Sequence, residues 1–190
     1  VAENGAERLR VALIIGSTRE GRAGGRVGRW FAGQARQRED IEPDVLDLAD
    51  YEFPACYPCA ATPQMRRFTA AVARADAFVV VTPEYNRSFP ASLKQAVDYA
   101  YDEWHAKPVG FVTYGSGSLG LYAAEALRPV FTELHAVTVR NGVGLDLLAG
   151  EPERPDGGGG RARAVRAMLD QLVWWGRALR EARDQRPYPV

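Results

Sequence analysis

The chain has 190 residues, with 24 lysines and arginines against 24 aspartates and glutamates, so its formal charge is zero. That balance leaves no basic stripe for a nucleic-acid backbone, and no apolar run approaches the ~20 residues of a membrane helix. Length and hydrophobic content are those of a single domain with a full core.

Residues 1–8 are polar and carry no signal-peptide core, so a polar tail on a cytoplasmic protein is expected. An apolar strand follows at 9–15, then the turn Gly16-Ser17-Thr18-Arg19-Glu20-Gly21-Arg22 and a helix with Val27, Trp30 and Phe31 on one stripe. A second strand is expected at 44–48, then a loop with Cys56 and Cys59, then a helix on Met65, Phe68, Val72 and Ala75. The continuous apolar run 77–82 suits a parallel strand covered on both faces. Thr82-Pro83-Glu84-Tyr85-Asn86-Arg87-Ser88 leads from it to a helix on Leu93, Ala96, Val97, Ala100 and Tyr101. A fourth strand at 108–114 ends in Tyr114-Gly115-Ser116-Gly117-Ser118-Leu119-Gly120. Its helix holds Ala123, Leu127, Phe131 and Leu134, and Pro129 is expected to bend it. A fifth strand is expected at 136–140, a flexible connector at 151–160, a last helix through Leu179 and a tail at 184–190. This strict alternation implies a parallel sheet with helices on both faces, which binds ligands beyond the carboxyl ends of its strands.

The turn after the first strand carries the chemistry. Amide N–H groups at a helix start lack intrahelical partners, and the helix dipole adds positive charge there. Ser17 and Thr18 add hydroxyls, and Arg19 and Arg22 add forked charge matched to phosphate oxygens. The turn lacks both the Gly-Lys-Ser/Thr ending of a nucleoside-triphosphate loop and a G-x-G-x-x-G, so a phosphate monoester fits it best. The third and fourth loops, with Tyr85 as a flat surface and glycines for close approach, complete a cradle for a planar heterocycle on a sugar-like chain.

These three motifs, with Ala91-Ser92-Leu93-Lys94-Gln95-Ala96, Lys107-Pro108-Val109-Gly110 and Leu127-Arg128-Pro129-Val130, resemble the NADPH-dependent FMN reductase family over roughly residues 9–140. The resemblance implies a flavodoxin-like α/β fold, a five-stranded parallel sheet in the order 2-1-3-4-5, and FMN at the strand ends. It implies NADPH or NADH as hydride donor, a small acceptor such as free flavin or a quinone, and a homodimer or homotetramer. A flavin-dependent monooxygenase would be the partner where free flavin is the acceptor. Carried over by motif, Ser17, Thr18, Arg19 and Arg22 hold the FMN phosphate, and Gly24, Arg26 and Val27 continue that cradle into the helix. Pro83, Glu84, Tyr85 and Asn86 pack on the isoalloxazine, and Tyr114, Gly115, Ser116 and Ser118 line its pyrimidine side. The chain departs from the family at Arg87-Ser88, where many members have His-Gly, and at Leu119 and Tyr122. Those departures touch the mouth and the choice of donor and acceptor.

The flavin itself would carry the hydride, so no side-chain catalyst is assigned. His105 and His135 stand apart without metal-ligand spacing, and His135 reads as a helix cap. Gly115-Ser116-Gly117-Ser118-Leu119 misses the spacing of a hydrolase nucleophile elbow. Cys56-Tyr57-Pro58-Cys59 reads as incidental loop cysteines. Phe89, Tyr101, Trp104 and Tyr122 are candidates to face a second copy, and Trp174-Trp175 reads as core or interface packing. Two other classes stay open: an electron carrier of the flavodoxin type, disfavoured by the missing acidic charge, and a flavin-binding protein without turnover.

Overall fold

The computed structural model describes residues 8–149 and 159–189; the N-terminal tail, most of the expected connector and Val190 lie outside them. Strands β1 (Leu9–Ile15), β2 (Ile41–Asp47), β3 (Ala77–Pro83) and β4 (Pro108–Gly115) alternate with helices α1 (Gly24–Arg36), α2 (Pro63–Arg74) and α3 (Ala91–Asp98). Helix α4 (Leu121–Glu133), strands β5 (Val137–Thr138) and β6 (Val143–Asp146), and α5 (Gly160–Gln185) complete the chain. All pairings are parallel, in the order β2-β1-β3-β4-β5, with β6 also on β4.

Strand periodicity divides the core. In β1 the odd residues Leu9, Val11, Leu13 and Ile15 meet Val27 and Phe31 of α1 and Met168, Leu169 and Leu172 of α5. The even residues Ala12 and Ile14, with Phe78 and Val80 of β3, meet Phe68 of α2, Leu93 of α3 and Phe131 of α4 on the other face. Because every central residue of β1 and β3 is covered, both strands read as unbroken apolar runs. Trp104 belongs to this interior: it is fully buried, 4.6 Å from the Phe78 ring, and its Nε1 donates to Ala100 O. It therefore completes the chain's own core and is not a contact for a second copy. Tyr101 and Tyr122 are exposed, and Phe89 is partly buried against the core. Trp174 and Trp175 lie on the outer side of α5, 64% and 37% exposed, so the core part of their reading is corrected.

Four elements differ from the sequence reading: α3 stops at Asp98, short of Ala100 and Tyr101, α5 runs on to Gln185 into the expected tail, and two strands depart from their expected bounds. Strand β2 starts three residues earlier than position 44, because an edge strand keeps backbone pairing through the polar Glu42-Pro43-Asp44. The fifth strand is split. Val139 N–H still donates to Val109 O (2.9 Å), residues 140–142 leave the ladder between β5 and β6, and Arg128 closes the gap by donating to Val139 O (3.1 Å) and Arg140 O (3.3 Å). Helix α4 runs through Pro129, which lies on the exposed side, where water can take the Glu125 carbonyl that proline leaves unpaired. The helix ends with His135 left-handed (φ 55°), its N–H on Thr132 O, and Ala136 N–H on Phe131 O. This paired closure is how a helix stops by a left-handed residue.

Candidate functional site

The carboxyl ends of β1, β3 and β4 bring the three singled-out loops together. Strand β1 stops at Gly16, whose N–H donates to Val81 O on β3 and whose carbonyl accepts from Ser92 Oγ at the start of α3. Beyond it, Thr18, Arg19, Glu20 and Gly21 are exposed. The amide N–H groups of Thr18, Arg19 and Glu20, and of Gly24 and Gly25 in the first turn of α1, donate to no acceptor among the described residues. No side chain caps α1. The Arg19 guanidinium likewise meets no acceptor among the described residues. Open N–H groups, a helix dipole and a free guanidinium in one turn are the features that suit an anion.

Other residues of the turn build it from below. Ser17 is fully buried, and Tyr114 Oη donates to its Oγ at 3.1 Å. Burial pushes the Tyr114 phenol up to about 12, so it stays neutral at physiological pH. Gly24 is required by this contact, since a Cβ there would lie 2.1 Å from Ser17 Oγ and 2.8 Å from Tyr114 Oη. Arg22 donates to Ser17 O (2.8 Å) and pairs with Asp47 Oδ2 (2.7 Å) at the end of β2. The hydrogen bond to Asp47 raises the Arg22 pKa further. Arg22 thus ties the turn to the sheet, Val27 is fully buried in the core, and Arg26 is exposed in the first turn of α1.

The β3 loop is a tight two-residue hairpin turn. Tyr85 and Ser88 exchange both backbone hydrogen bonds (2.8 and 2.9 Å), with Asn86 (φ 50°) and Arg87 (φ 62°) left-handed between them. Pro83 is buried as the last residue of β3. Glu84 N–H continues the ladder onto Tyr114 O, and its carboxylate reaches across the site. Glu84 Oε2 accepts from Ser118 Oγ (2.8 Å) and from Tyr122 N–H (3.1 Å), capping α4 from another loop. The Arg87 guanidinium rests 3.8 Å from the Tyr122 ring centroid, a second link between the same loops.

In the β4 loop, Gly120 is left-handed (φ 79°), and a Cβ there would lie 2.7 Å from Tyr114 N, so only glycine fits. Ser118 N–H is taken by Ser116 O, leaving the Ser116 and Gly117 amides open among the described residues, with Gly115 beside them partly exposed. Tyr114 is 3% exposed and turned under the first loop, whereas Tyr85 and Phe89 are half-buried. A cavity of about 390 Å³ flanks this loop between α4 and β6, lined by Thr113, Leu119, Leu121, Arg128 and Val143 among others.

Three features were hidden in the sequence. Asp47, Glu84 acting as a brace, and Tyr122 take their roles from partners 25 to 38 positions away in the chain. Cys56 and Cys59 are free and exposed on the loop between β2 and α2. The two histidines meet at the opposite, amino end of the sheet, ring centroids 4.8 Å apart. Among the described residues, no three His, Cys, Asp or Glu side chains gather as a metal site, and no helix is long and apolar enough to cross a membrane.

A doubly wound sheet in the order 2-1-3-4-5, with a turn of open amides after β1 and paired loops after β3 and β4, defines the flavodoxin-like class. The model of one family, NADPH-dependent FMN reductase, matches residues 9–147, and the chain belongs to that family. It is 36% identical over 121 residues to the NAD(P)H-dependent FMN reductase ntnL of Nectria sp, covering 56% of this chain and 60% of that one. The chain thus spans about three fifths of that relative's length. It is 30% identical over 140 residues to the 2-hydroxy-1,4-benzoquinone reductase of Burkholderia sp, covering 68% of this chain and 73% of that one. Among solved structures, the flavoenzyme NAD(P)H:(acceptor) oxidoreductase FerB of Paracoccus denitrificans superposes with a TM-score of 0.72 at 21% identity. That alignment covers 90% of this chain and 98% of FerB, a likeness of fold.

Proposed function

We propose that this protein binds FMN across the β1, β3 and β4 loops and uses NAD(P)H to reduce a small acceptor, a quinone or free flavin. The observation that carries this reading is the turn after β1, where a row of open amides and Arg19 face solvent at the start of an uncapped helix. Such a set suits one phosphate monoester, and a neighbouring aromatic rim suits a flat ring system.

Thr18, Arg19 and the amides of residues 18–20, 24 and 25 would hold the FMN phosphate. Ser17, Gly24, Arg22 and Tyr114 would shape that turn from beneath, and Arg26 would add charge at its edge. Pro83, Tyr85 and Asn86 would present the β3 hairpin to the ring, with Glu84 and Ser118 fixing the distance between the loops. The open Ser116 and Gly117 amides beside Gly115 would offset negative charge on the ring, as oxyanion-hole donors do. Bound FMN supplies hydride acceptance and release, so the protein's part is position and electrostatics. The names of the Nectria and Burkholderia relatives support the donor and the quinone acceptor. Where free flavin is the acceptor, a flavin-dependent monooxygenase would consume the product. The exposed Tyr101 and Tyr122 support pairing of two copies, and a monomer mass by light scattering with FMN bound would remove that part of the reading.

Anaerobic addition of NADPH or NADH to the FMN-loaded protein tests the activity. Bleaching of the flavin absorbance within seconds is expected with at least one donor. A flavin that dithionite reduces but both nucleotides leave oxidised would move the protein to the electron carriers.

A further inference from the structure

We propose that Arg87, seated on Tyr122, recognises phosphate oxygens of the nicotinamide nucleotide; this rests on the reading of the site given above. The hairpin turn does not call for arginine. Its second central position is left-handed (φ 62°), where glycine sits without strain and a long side chain does not. The side chain there nonetheless packs on a neighbour, with its guanidinium 3.8 Å from the centre of the Tyr122 ring. A guanidinium resting on a ring face keeps its N–H edges available for an anion.

Its charge is also uncompensated. Glu84, the carboxylate nearest in sequence, is occupied by Ser118 Oγ and Tyr122 N–H, and Arg87 makes no ion pair among the described residues. The same contacts lock the β3 and β4 loops together, so Arg87 is held at the rim two residues beyond Tyr85. Of the reactants in the proposed reaction, FMN has its phosphate assigned to the turn after β1, and a quinone carries none. The phosphate-bearing molecules that remain are the hydride donor and, where free FMN is the acceptor, that flavin; of the two, only the donor takes part whichever acceptor is used. It offers two sources of the same chemistry, the diphosphate shared by NADH and NADPH and the 2′-phosphate of NADPH alone.

The test compares wild type, Arg87→Gly and Arg87→Lys. Glycine suits the left-handed position, so the first variant removes the guanidinium without asking the turn to refold. Each is assayed for flavin reduction by NADPH, NADH and the phosphate-free 1-benzyl-1,4-dihydronicotinamide, and for NADP+ binding by calorimetry. In Arg87→Gly, kcat/KM for NADPH should fall roughly ten-fold or more beyond any change with the phosphate-free donor, mainly through KM. The NADP+ dissociation constant should rise in step, and Arg87→Lys should recover part of both. A parallel fall with NADH assigns the contact to the diphosphate, and a fall with NADPH alone assigns it to the 2′-phosphate. An unchanged ratio of NADPH to the phosphate-free donor, with NADP+ binding intact, would overturn the inference. Wild-type flavin that no donor reduces overturns the reading of the site itself, and this assignment with it.

Discussion

At the amino ends of the strands, polar groups close on one another. The buried Lys107 donates from Nζ to Val72 O (3.0 Å) and Ala73 O (2.9 Å) at the end of α2. Asp76 accepts from Arg10 N–H (3.0 Å) and pairs with Arg180 (3.3 Å), while Arg183 donates to Ala106 O. At the carboxyl ends, by contrast, Arg19 and a run of amides around it are left open, and the hydrogen bonds made there serve to shape the loops. A buried donor without a partner costs stability, so the covered end pairs nearly all its polar groups, His105 Nε2 excepted. The exposed donors of the turn after β1 meet water at no such cost and stay available to an anion. The two ends therefore separate residues that hold the sheet from residues that would meet the proposed ligand, and the two sets should fail differently when changed.

The largest effect should come from Gly24→Ala, which places a methyl group 2.1 Å from Ser17 Oγ. Overpacking there should cost about 2–3 kcal/mol of stability and at least a hundredfold in FMN affinity, read by denaturant melts and flavin titration. Asp76→Ala should cost about 2 kcal/mol of stability while leaving the FMN dissociation constant unchanged, because its partners lie at the far end of the sheet. Arg19→Ala should do the reverse: an unchanged Tm, with a loss of about 1.5 kcal/mol or more in FMN affinity. If Asp76→Ala weakened FMN binding as much as Arg19→Ala, the division between the two ends would not hold.

The last effect is graded, a pH dependence. Burial brings the Lys107 pKa down from 10.5 to about 8. Between those values the unfolded chain holds a proton that the native chain has released. This site therefore adds stability as pH rises through that window and loses it as pH falls through 8. Relative to Lys107→Met, wild type should gain at most about 1.4 kcal/mol per pH unit there, measured by urea unfolding at pH 8, 9 and 10. A gap that stays constant across the three pH values contradicts the buried ammonium.

Much of the fold was legible because the central strands are covered on both faces. The run 9–15 coincides with β1, and 77–82 and 108–114 each fall one residue short of β3 and β4. The edges were harder to read. Proline and carboxylates in β2 obscure a strand whose pairing uses backbone alone, and the break between β5 and β6 depends on Arg128 reaching back from α4. At the site, the open donors of the β1 turn follow from local sequence, since a helix start leaves amides unpaired wherever it occurs. What local sequence does not carry is pairing across loops. Arg22 reads as a phosphate ligand and Glu84 as a ring contact, but the pairing of Arg22 with Asp47 and the bonds of the Glu84 carboxylate to Ser118 and Tyr122 are not written in local sequence.

If the turn after β1 is open for a phosphate, the protein must tell a phosphorylated flavin from an unphosphorylated one. Parallel titrations of the flavin-free protein with FMN and with riboflavin, followed by fluorescence quenching, address it directly. The two ligands share the ring system and the sugar-like chain and differ in the phosphate alone. FMN should bind at least ten- to a hundredfold more tightly, and Arg19→Ala should shrink that ratio. Equal affinity for FMN and riboflavin would contradict the claim.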